Sequence, residues 1–536
     1  MIRLFEIKLK IGQDEANLAD AVYKKLGFKT DRNPSPIESI KISGKSIDAR
    51  DKKSIFIIYN VDIRLKNDTI KAEKSFVANA QKRNKKIKIR ILNGENYPAN
   101  SKNATLRPFR PVIVGFGPAG MFAALFFINN GIKPIVIERG RPVEERVKDV
   151  EKFWQDGIFD PSSNPLFGEG GAGTFSDGKL TTGKNDPRIS YILKEFYKAG
   201  APEEILYMKK PHIGTDVLRK VVRNIRHTIL EGGGTIKFST KFDKLNVEKD
   251  QLKSVEVVDG NTKIRETIIT EYLILAIGHS GRDTYKALLD QGLDMEQKPF
   301  SMGLRIEHDQ SLINSSQYGD DFEKIYALTL GEAGMPPAEY KLSCKVRDRG
   351  VYTFCMCPGG EIITTSAEKG TISVNGMSMQ KRDGKNANSA LLVDVRSDDY
   401  DSQAPLAGID FQRKYEGKAF DVGGSNYSAP TETVKDFMSE HSVLAQCLPG
   451  FVVEGIREAL PVFGKKIKGF DDPEAVLKGI ESGSSSPVRI KRDGELQSNY
   501  AGIYPCGEGA GYAGGITSSA IDGLKCAESC YHLSQK

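Results

Sequence analysis

Three glycines and one acidic residue carry the most specific chemistry in this chain. Gly115, Gly117 and Gly120 stand in G-x-G-x-x-G spacing, and Glu138 follows 23 residues after the first of them. They lie in the stretch PVIVGFGPAGMFAALFFINNGIKPIVIERG, residues 111–140. Gly115 permits a sharp strand-to-helix turn, Gly117 lets a pyrophosphate approach the backbone, and Gly120 lets helix and strand pack closely. Pro118 and Ala119 open a helix whose N-terminal N–H groups and dipole favour phosphate. Glu138, with Arg139 after it, is placed to accept hydrogen bonds from a ribose. A glycine-rich turn in a ligand-free α/β protein would leave Glu138 unexplained, so the reading is dinucleotide binding.

Three further patches carry polar groups in glycine-rich surroundings. Residues 165–183, PLFGEGGAGTFSDGKLTTG, hold six glycines in nineteen residues, which opposes a stable helix or strand. Such a loop is either flexible or fitted closely against a ligand, and the second is the reading taken. Gly170, Gly171, Ala172, Gly173 and Thr174 supply close backbone and a hydroxyl, Ser176 and Asp177 supply further polar groups, and Lys179 supplies a charge. In YLILAIGHSGRD, residues 272–283, a buried strand runs into a turn at Gly278, where ligands collect in α/β sheets. His279 and Arg282 there are ligand candidates or turn caps. In GIYPCGEGAGYAGGITSSAIDG, residues 502–523, a strand ends at Cys506. The turn holds Gly507 and Glu508, and a helix opens after Gly514 and Gly515 at Ile516. Its N–H groups suit a negative charge developing on a reduced ring.

Catalytic candidates are fewer. Arg305 and His308 sit with Glu307 in SMGLRIEHD. An arginine there would bind a substrate carboxylate and a histidine would exchange a proton, with His279 as a third candidate. Strand alternation puts Arg305 and Glu307 on one face, so a structural ion pair competes evenly. Cys355 and Cys357 form a C-x-C that is either a redox pair or two buried apolar cysteines. Ring strain makes the first uncommon. The seven cysteines and six histidines show no metal-site spacing, so no metal is expected.

The elements that must position these residues can be read from periodicity. Residues 1–95 read as β-α-β-β-α-β, a ferredoxin-like split unit. Residues 96–107, polar and proline-bearing, read as a linker. Residues 108–297 read as a dinucleotide-binding α/β unit, and 298–489 as a second, mostly β, substrate or cap domain inserted before a closing strand, glycine turn and helix at 490–536. Thr215–Glu231 has amphipathic helical spacing, strands follow it as a meander, and residues 475–480 read as helical. The fold class is α/β, a Rossmann-like three-layer domain carrying this insertion and the small N-terminal domain.

The 536 residues suffice for three or four domains, and the composition is that of a globular protein. No apolar run is long enough to span a bilayer, and residues 1–15 lack a signal-peptide core, so the expectation is cytoplasmic. Residues 1–107 hold 24 Lys and Arg against 12 Asp and Glu; with +7 overall, the remainder carries −5. The basic stretch KRNKKIKIR, residues 82–90, could touch RNA or another polyanion through the 1–95 domain. The alternative is a solvated strand edge guarded by lysines.

The stretches VIVGFGPAGMFAAL, GEGGAGTFSDGKL, LAIGHSGRD, GLRIEHD, FCMCPGGEI, NGMSMQKRDGKNANSA, SSSPVRI and GIYPCGEGAGYAGGITSSAIDG together resemble the uncharacterised FAD-dependent dehydrogenases of the glutathione-reductase-like flavoprotein superfamily. The resemblance covers nearly all of residues 108–525. It implies non-covalent FAD, a discontinuous FAD-binding domain with an insertion, and an oxidoreductase, but no particular substrate. Many members of the superfamily have Gly-Asp where this chain has Gly507-Glu508. Gly-Glu resembles the fumarate-reductase-like branches, where Glu508 would reach the ribityl or pyrophosphate region. With no C-x-x-C beside the dinucleotide motif, a disulfide reductase of the glutathione reductase kind is disfavoured. With no second G-x-G-x-x-G unit, NAD(P)H would serve only as a transient reductant visiting a shared cleft. Alternatives are an RNA-associated flavoprotein and a non-catalytic flavin-binding protein. The oligomeric state is not legible.

Overall fold

Period-two alternation is clearest at the start of the chain, and there it forms strands. The computed structural model describes residues 1–28, 35–92, 97, 109–319 and 335–535, so the expected linker 96–107, apart from Tyr97, lies outside the described residues. One compact unit comprises Met1–Ala99, Pro202–Pro211 and Ser311–Ala338. It begins β1 (Ile2–Lys10), α1 (Leu18–Lys25), β2 (Ile37–Asp48), β3 (Phe56–Leu65), α2 (Ile70–Arg83), β4 (Ile89–Ile91). The sheet order β2-β3-β1-β4, antiparallel throughout, is the ferredoxin-like arrangement. Inward residues such as Ile2, Leu4, Val61 and Ile63 are fully buried. The basic residues 82–90 run from the end of α2 into edge strand β4. The segment Pro202–Pro211 joins this unit beside β2, where the Lys45 N–H donates to the Tyr207 carbonyl at 2.8 Å and the Lys209 N–H to the Lys45 carbonyl at 2.9 Å.

The second unit takes the rest of the chain. It opens with β5 (Val112–Val114), α3 (Pro118–Asn129) and β6 (Ile135–Ile137), followed by α4 (Val143–Asp156), α5 (Arg188–Lys198) and α6 (Thr215–Glu231). Next come β7 (Thr235–Lys237), the antiparallel meander β8 (Thr240–Glu248), β9 (Gln251–Asp259) and β10 (Arg265–Ile269), and then β11 (Leu273–Leu275) and α7 (Arg282–Asp290). A parallel sheet runs β22-β11-β5-β6-β7, where β22 is Ile503–Pro505. Every residue of β5, β6, β11 and β22 is buried, as expected of parallel strands covered on both faces. α3 is apolar almost all round because it is enclosed: the final helix, Ile516–Ser534, packs on it so closely that a Cβ on Gly523 would lie 2.1 Å from the Ala119 carbonyl oxygen.

Between α7 and β22 lies a mostly β region. β12 (Met295–Gln297) pairs antiparallel with β21 (Val488–Ile490). Between them, β13 (Phe300–Asp309), β14 (Ser343–Val346), β15 (Arg349–Cys357), β18 (Asn386–Val395), β19 (Thr431–Thr433) and β20 (Val476–Glu481) form an antiparallel sheet in the order β14-β15-β18-β13-β20-β19, with β16 (Gly360–Thr365) and β17 (Ser373–Ser378) as a separate hairpin. Residues 475–480, expected to be helical, are corrected here to strand. They sit between β13 and β19, where pairing on both sides decides against the helix that a short apolar run also permits.

Two catalytic candidates are likewise corrected to structural roles. Arg305 on β13 is 0% exposed. Its guanidinium forks onto Glu481 and also donates to Asn388 Oδ1 at 2.7 Å, Asn375 Oδ1 at 3.1 Å and the Cys355 carbonyl at 3.3 Å. All its donors are used inside the protein, and its ion-pair partner is Glu481 rather than Glu307, which accepts from Asn386 at 2.9 Å. His308 is buried against the Phe470 ring at 4.7 Å, with Nε2 at 2.8 Å from the Phe470 carbonyl. Burial pushes its pKa down, toward a neutral core histidine. Removing one partner of a buried pair leaves the other charge stranded, at about 3–5 kcal/mol. Arg305→Ala should lower unfolding free energy by that order in urea titration; stability equal to the parent's would show that Glu481 escapes to solvent and that Arg305 is not structural.

Candidate functional site

The turn after β5 is built from contacts that leave no room for side chains. Gly115 has φ +100°, and a Cβ there would lie 2.2 Å from the Ala276 carbonyl oxygen at the end of β11. A Cβ on Gly120 would lie 2.0 Å from the Gly115 carbonyl oxygen. Gly117 differs: its φ is −84°, and a Cβ would meet only the Gly171 Cα, at an ordinary 3.7 Å. Nothing among the described residues requires glycine at 117.

Glu138 at the end of β6 is buried, and its carboxylate gathers three backbone donors. The Phe116 N–H reaches Oε2 at 2.8 Å, and the Gly140 and Gly168 N–H groups reach Oε1 at 2.9 and 3.2 Å. A carboxylate offers about four acceptor positions, so Oε2 keeps one open. The glycine-rich loop closes over this turn, with the Gly170 N–H on the Phe116 carbonyl at 2.9 Å. Below the loop the fully buried Arg146 donates to the carbonyls of Asn164, Glu169 and Gly171 at 2.6–3.0 Å.

The other wall comes from the ends of β11 and β22. A Cβ on Gly509 would lie 2.6 Å from the Gly278 carbonyl oxygen, so these two loops are pressed together. The Tyr285 hydroxyl lies within hydrogen-bond reach of both the Gly278 and Gly509 carbonyls. The Gly507 N–H donates to Asp522 Oδ2 at 2.8 Å, and Arg492 forks onto Asp522 at 2.8–2.9 Å. The helix Ile516–Ser534 starts at Gly515, φ +84°, without a side-chain cap, and a Cβ on the neighbouring Gly514 would meet nothing within 4 Å.

These walls enclose a cleft of about 990 Å³, counting its open mouth. Lining it are Gly115, Gly117, Pro118, Ala119, Glu138, Arg139, Gly171, Ala172, Gly173, Gly278, Gly507, Glu508, Gly515 and Ile516. His279 lines it as well, with Nδ1 at 3.4 Å from Glu508 Oε1. Arg139 is held at the rim by Asp283 at 2.9 Å and Thr284 at 2.7 Å, and its guanidinium stacks 4.5 Å from the Phe167 ring centre. Arg139 and Lys241 together hold the Asp283 carboxyl well below the usual range.

Other expected cofactor residues do not line the cleft. Gly120 serves packing. Thr174 turns its hydroxyl to the Glu169 carbonyl at 3.1 Å, and Gly170 packs against Thr174. Lys179 donates to the Met356 carbonyl on β15 rather than facing the cleft. Arg305 and His308 are also absent from it. Arg282 is drawn to the buried Glu416 at 2.7–2.8 Å, so it is neither a ligand nor a turn cap. Sequence reasoning missed Phe167, Thr284, Tyr285, Arg492 and Asp522. Of these, Asp522 left a signal, an acid inside the otherwise apolar and small-residue opening of the last helix.

The cleft fits a dinucleotide. Two uncapped helix N-termini face it, one acceptor position on Glu138 is open, and Gly117 keeps clear a space that a ligand would fill, whereas Gly514, an expected cofactor residue, does not line the cleft. Among the described residues no group of His, Cys, Asp and Glu could hold a metal, and no helix is long and apolar enough to cross a membrane.

Residues 299–484 match the model of a family described as FAD-dependent protein, C-terminal domain-like, and residues 1–64 match a domain family of unknown function. The chain is 43% identical over 558 positions to an uncharacterised protein of Clostridium beijerinckii, covering 100% of this chain and 99% of that one. Among solved structures, glycerol-3-phosphate dehydrogenase from Bacillus halodurans complexed with FAD aligns at 11% identity and TM-score 0.37, over 80% of this chain and 65% of that one. A flavoprotein/dehydrogenase from Cytophaga hutchinsonii aligns at 11% identity and TM-score 0.34, over 80% and 78%. Matched end to end by its clostridial relative and over residues 299–484 by the family model, the chain belongs to this uncharacterised family of FAD-dependent proteins.

Proposed function

We propose that the chain is an oxidoreductase that holds FAD non-covalently in this cleft and uses it on a small organic substrate. The observation that carries the reading is Gly117, a glycine with neither a backbone nor a packing reason, set over a helix N-terminus. FAD, when bound, supplies hydride acceptance and donation. In this reading the first turn of α3 binds the pyrophosphate, Glu138 orients a ribose, and Gly515 and Ile516 present N–H groups where negative charge develops. Glu508 orients the His279 ring through Nδ1, leaving Nε2 as the atom that exchanges a proton with substrate. The neighbours named above are an FAD-bound dehydrogenase and a flavoprotein/dehydrogenase, which agrees with redox chemistry. NAD(P)H would reduce the flavin from the same cleft.

Two experiments test this. Gly117→Ala should fold with a stability within about 1 kcal/mol of the parent, because its Cβ meets ordinary contacts, yet bind FAD at least about tenfold more weakly, a loss of about 1.4 kcal/mol. Fluorescence titration of the apoprotein reads this, and unchanged affinity would place the pyrophosphate elsewhere. Gly120→Ala should fail to fold, since its Cβ would enter a carbonyl.

The activity itself is tested by anaerobic mixing of the FAD-loaded protein with NADH, NADPH and a panel of organic donors. Bleaching of the main flavin band by one of them is expected. A band that no donor alters, although dithionite reduces it, would make the flavin structural. Where a donor and acceptor sustain turnover, His279→Ala should keep its FAD but lose about a hundredfold in rate, within the usual range for a general acid–base group.

A further inference from the structure

Cys355 and Cys357 lie outside the cofactor cleft, in a setting the strand pattern did not foretell. β15 pairs Phe354 with Ala390 but Cys357 with Asn388, so three steps on one strand oppose two on the other. This bulge puts Cys355 at φ +45°, a left-handed conformation that a cysteine rarely adopts. The Cys357 thiol donates back to the Cys355 carbonyl, with Sγ 3.2 Å from the oxygen.

Two cations are fixed onto the same bulge. Arg305 donates to the Cys355 carbonyl at 3.3 Å and Lys179 to the Met356 carbonyl. The glycine facing them, Gly376, is needed there: a Cβ would lie 2.3 Å from Arg305 Nη1 and 2.7 Å from Cys357 Sγ. The acids nearby, Glu481 and Asp177, are themselves paired with Arg305 and Arg382. The neighbouring Cys357 thiol, with Lys179 and Arg305, holds the Cys355 thiol below its ordinary value, while Cys357 is pushed well above it. Five cysteines are buried, and of the two half-buried ones, Cys355 and Cys344, the Cys344 thiol is pushed up by burial. Phe354, beside Cys355, is exposed.

We propose that Cys355 and Cys357 form a thiol–disulfide exchange centre whose substrate is a small-molecule disulfide. The Cys355 thiolate attacks one sulfur; the substrate S–S bond breaks, and the first thiolate leaves and takes a proton from water. Cys357 then gives up its proton and attacks Cys355 Sγ, which forms the Cys355–Cys357 bond, breaks the mixed disulfide and releases the second thiol with that proton. Two electrons pass from the protein dithiol to the substrate, which becomes two thiols. Strain in so short a ring makes the product disulfide easy to reduce again.

The test uses the FAD-loaded full chain carrying Cys344→Ser, with dipyridyl disulfide as probe. Two equivalents of pyridinethione should appear in one rapid phase, leaving a chain two hydrogens lighter and free of adduct. Adding Cys357→Ser should give one equivalent and a stable adduct on Cys355; adding Cys355→Ser should abolish the rapid phase. A rapid phase that survives Cys355→Ser, or an adduct retained when Cys357 is present, overturns the proposal. In the unmutated chain, iodoacetamide at pH 7 should modify Cys355 at least about fivefold faster than Cys344, because the cations beside Cys355 favour its thiolate while burial disfavours that of Cys344. Equal rates would overturn the proposal without any variant having to fold.

Discussion

The cleft depends on one constraint: backbones at the carboxyl ends of the parallel strands meet with no side chain between them. Gly115 lies against Ala276, Gly120 against Gly115, and Gly509 against Gly278, each at a distance no Cβ tolerates. Close approach brings peptide groups together, and those groups need partners. Glu138 supplies three of them, and the Tyr285 hydroxyl and the Asp522 carboxylate supply others. The acid that the motif assigns to a ribose is therefore also what fixes the turn and the glycine-rich loop in register. A substitution at this residue disturbs the loop geometry whatever else it does.

Much of this was legible in the sequence because it is local. Buried parallel strands read as unbroken apolar runs, and turns that need positive φ or close approach read as glycine. What was not legible is long-range. Alternation correctly put Arg305 and Glu307 on one strand, but it says nothing about depth, and Arg305 is buried with a partner 176 residues away. Arg492 and Asp522, 30 residues apart, meet only because β22 returns the chain to the sheet. Residues 475–480 were misread because six residues cannot distinguish a strand from a helical turn until their neighbours are known. A C-x-C on a regular strand would put both sulfurs on one face; the bulge that changes their surroundings left no mark in the spacing.

Several arginines in this unit are taken out of water and matched to acids. Arg305 holds Glu481, Arg382 holds Asp177, Arg282 holds Glu416, and Arg492 holds Asp522. Such pairs add little net stability over apolar packing, because desolvating each ion offsets most of the attraction. Misplacing one partner, by contrast, strands a charge. Each pair thus discriminates against wrong registers, and each joins segments distant in sequence: Asp177 belongs to the glycine-rich loop, Arg382 to the turn before β18.

The pairing of β12 with β21 has a consequence for how this architecture can vary. Met295 lies opposite Ile490 and Gln297 opposite Val488, so the chain leaves the dinucleotide-binding scaffold and returns to it side by side. Everything between these two short strands begins and ends at one point. An insertion with adjacent ends can be lengthened, trimmed or exchanged for another without breaking any strand of the parallel sheet. A scaffold plumbed this way is a socket: the parallel sheet can stay constant while the cover is changed.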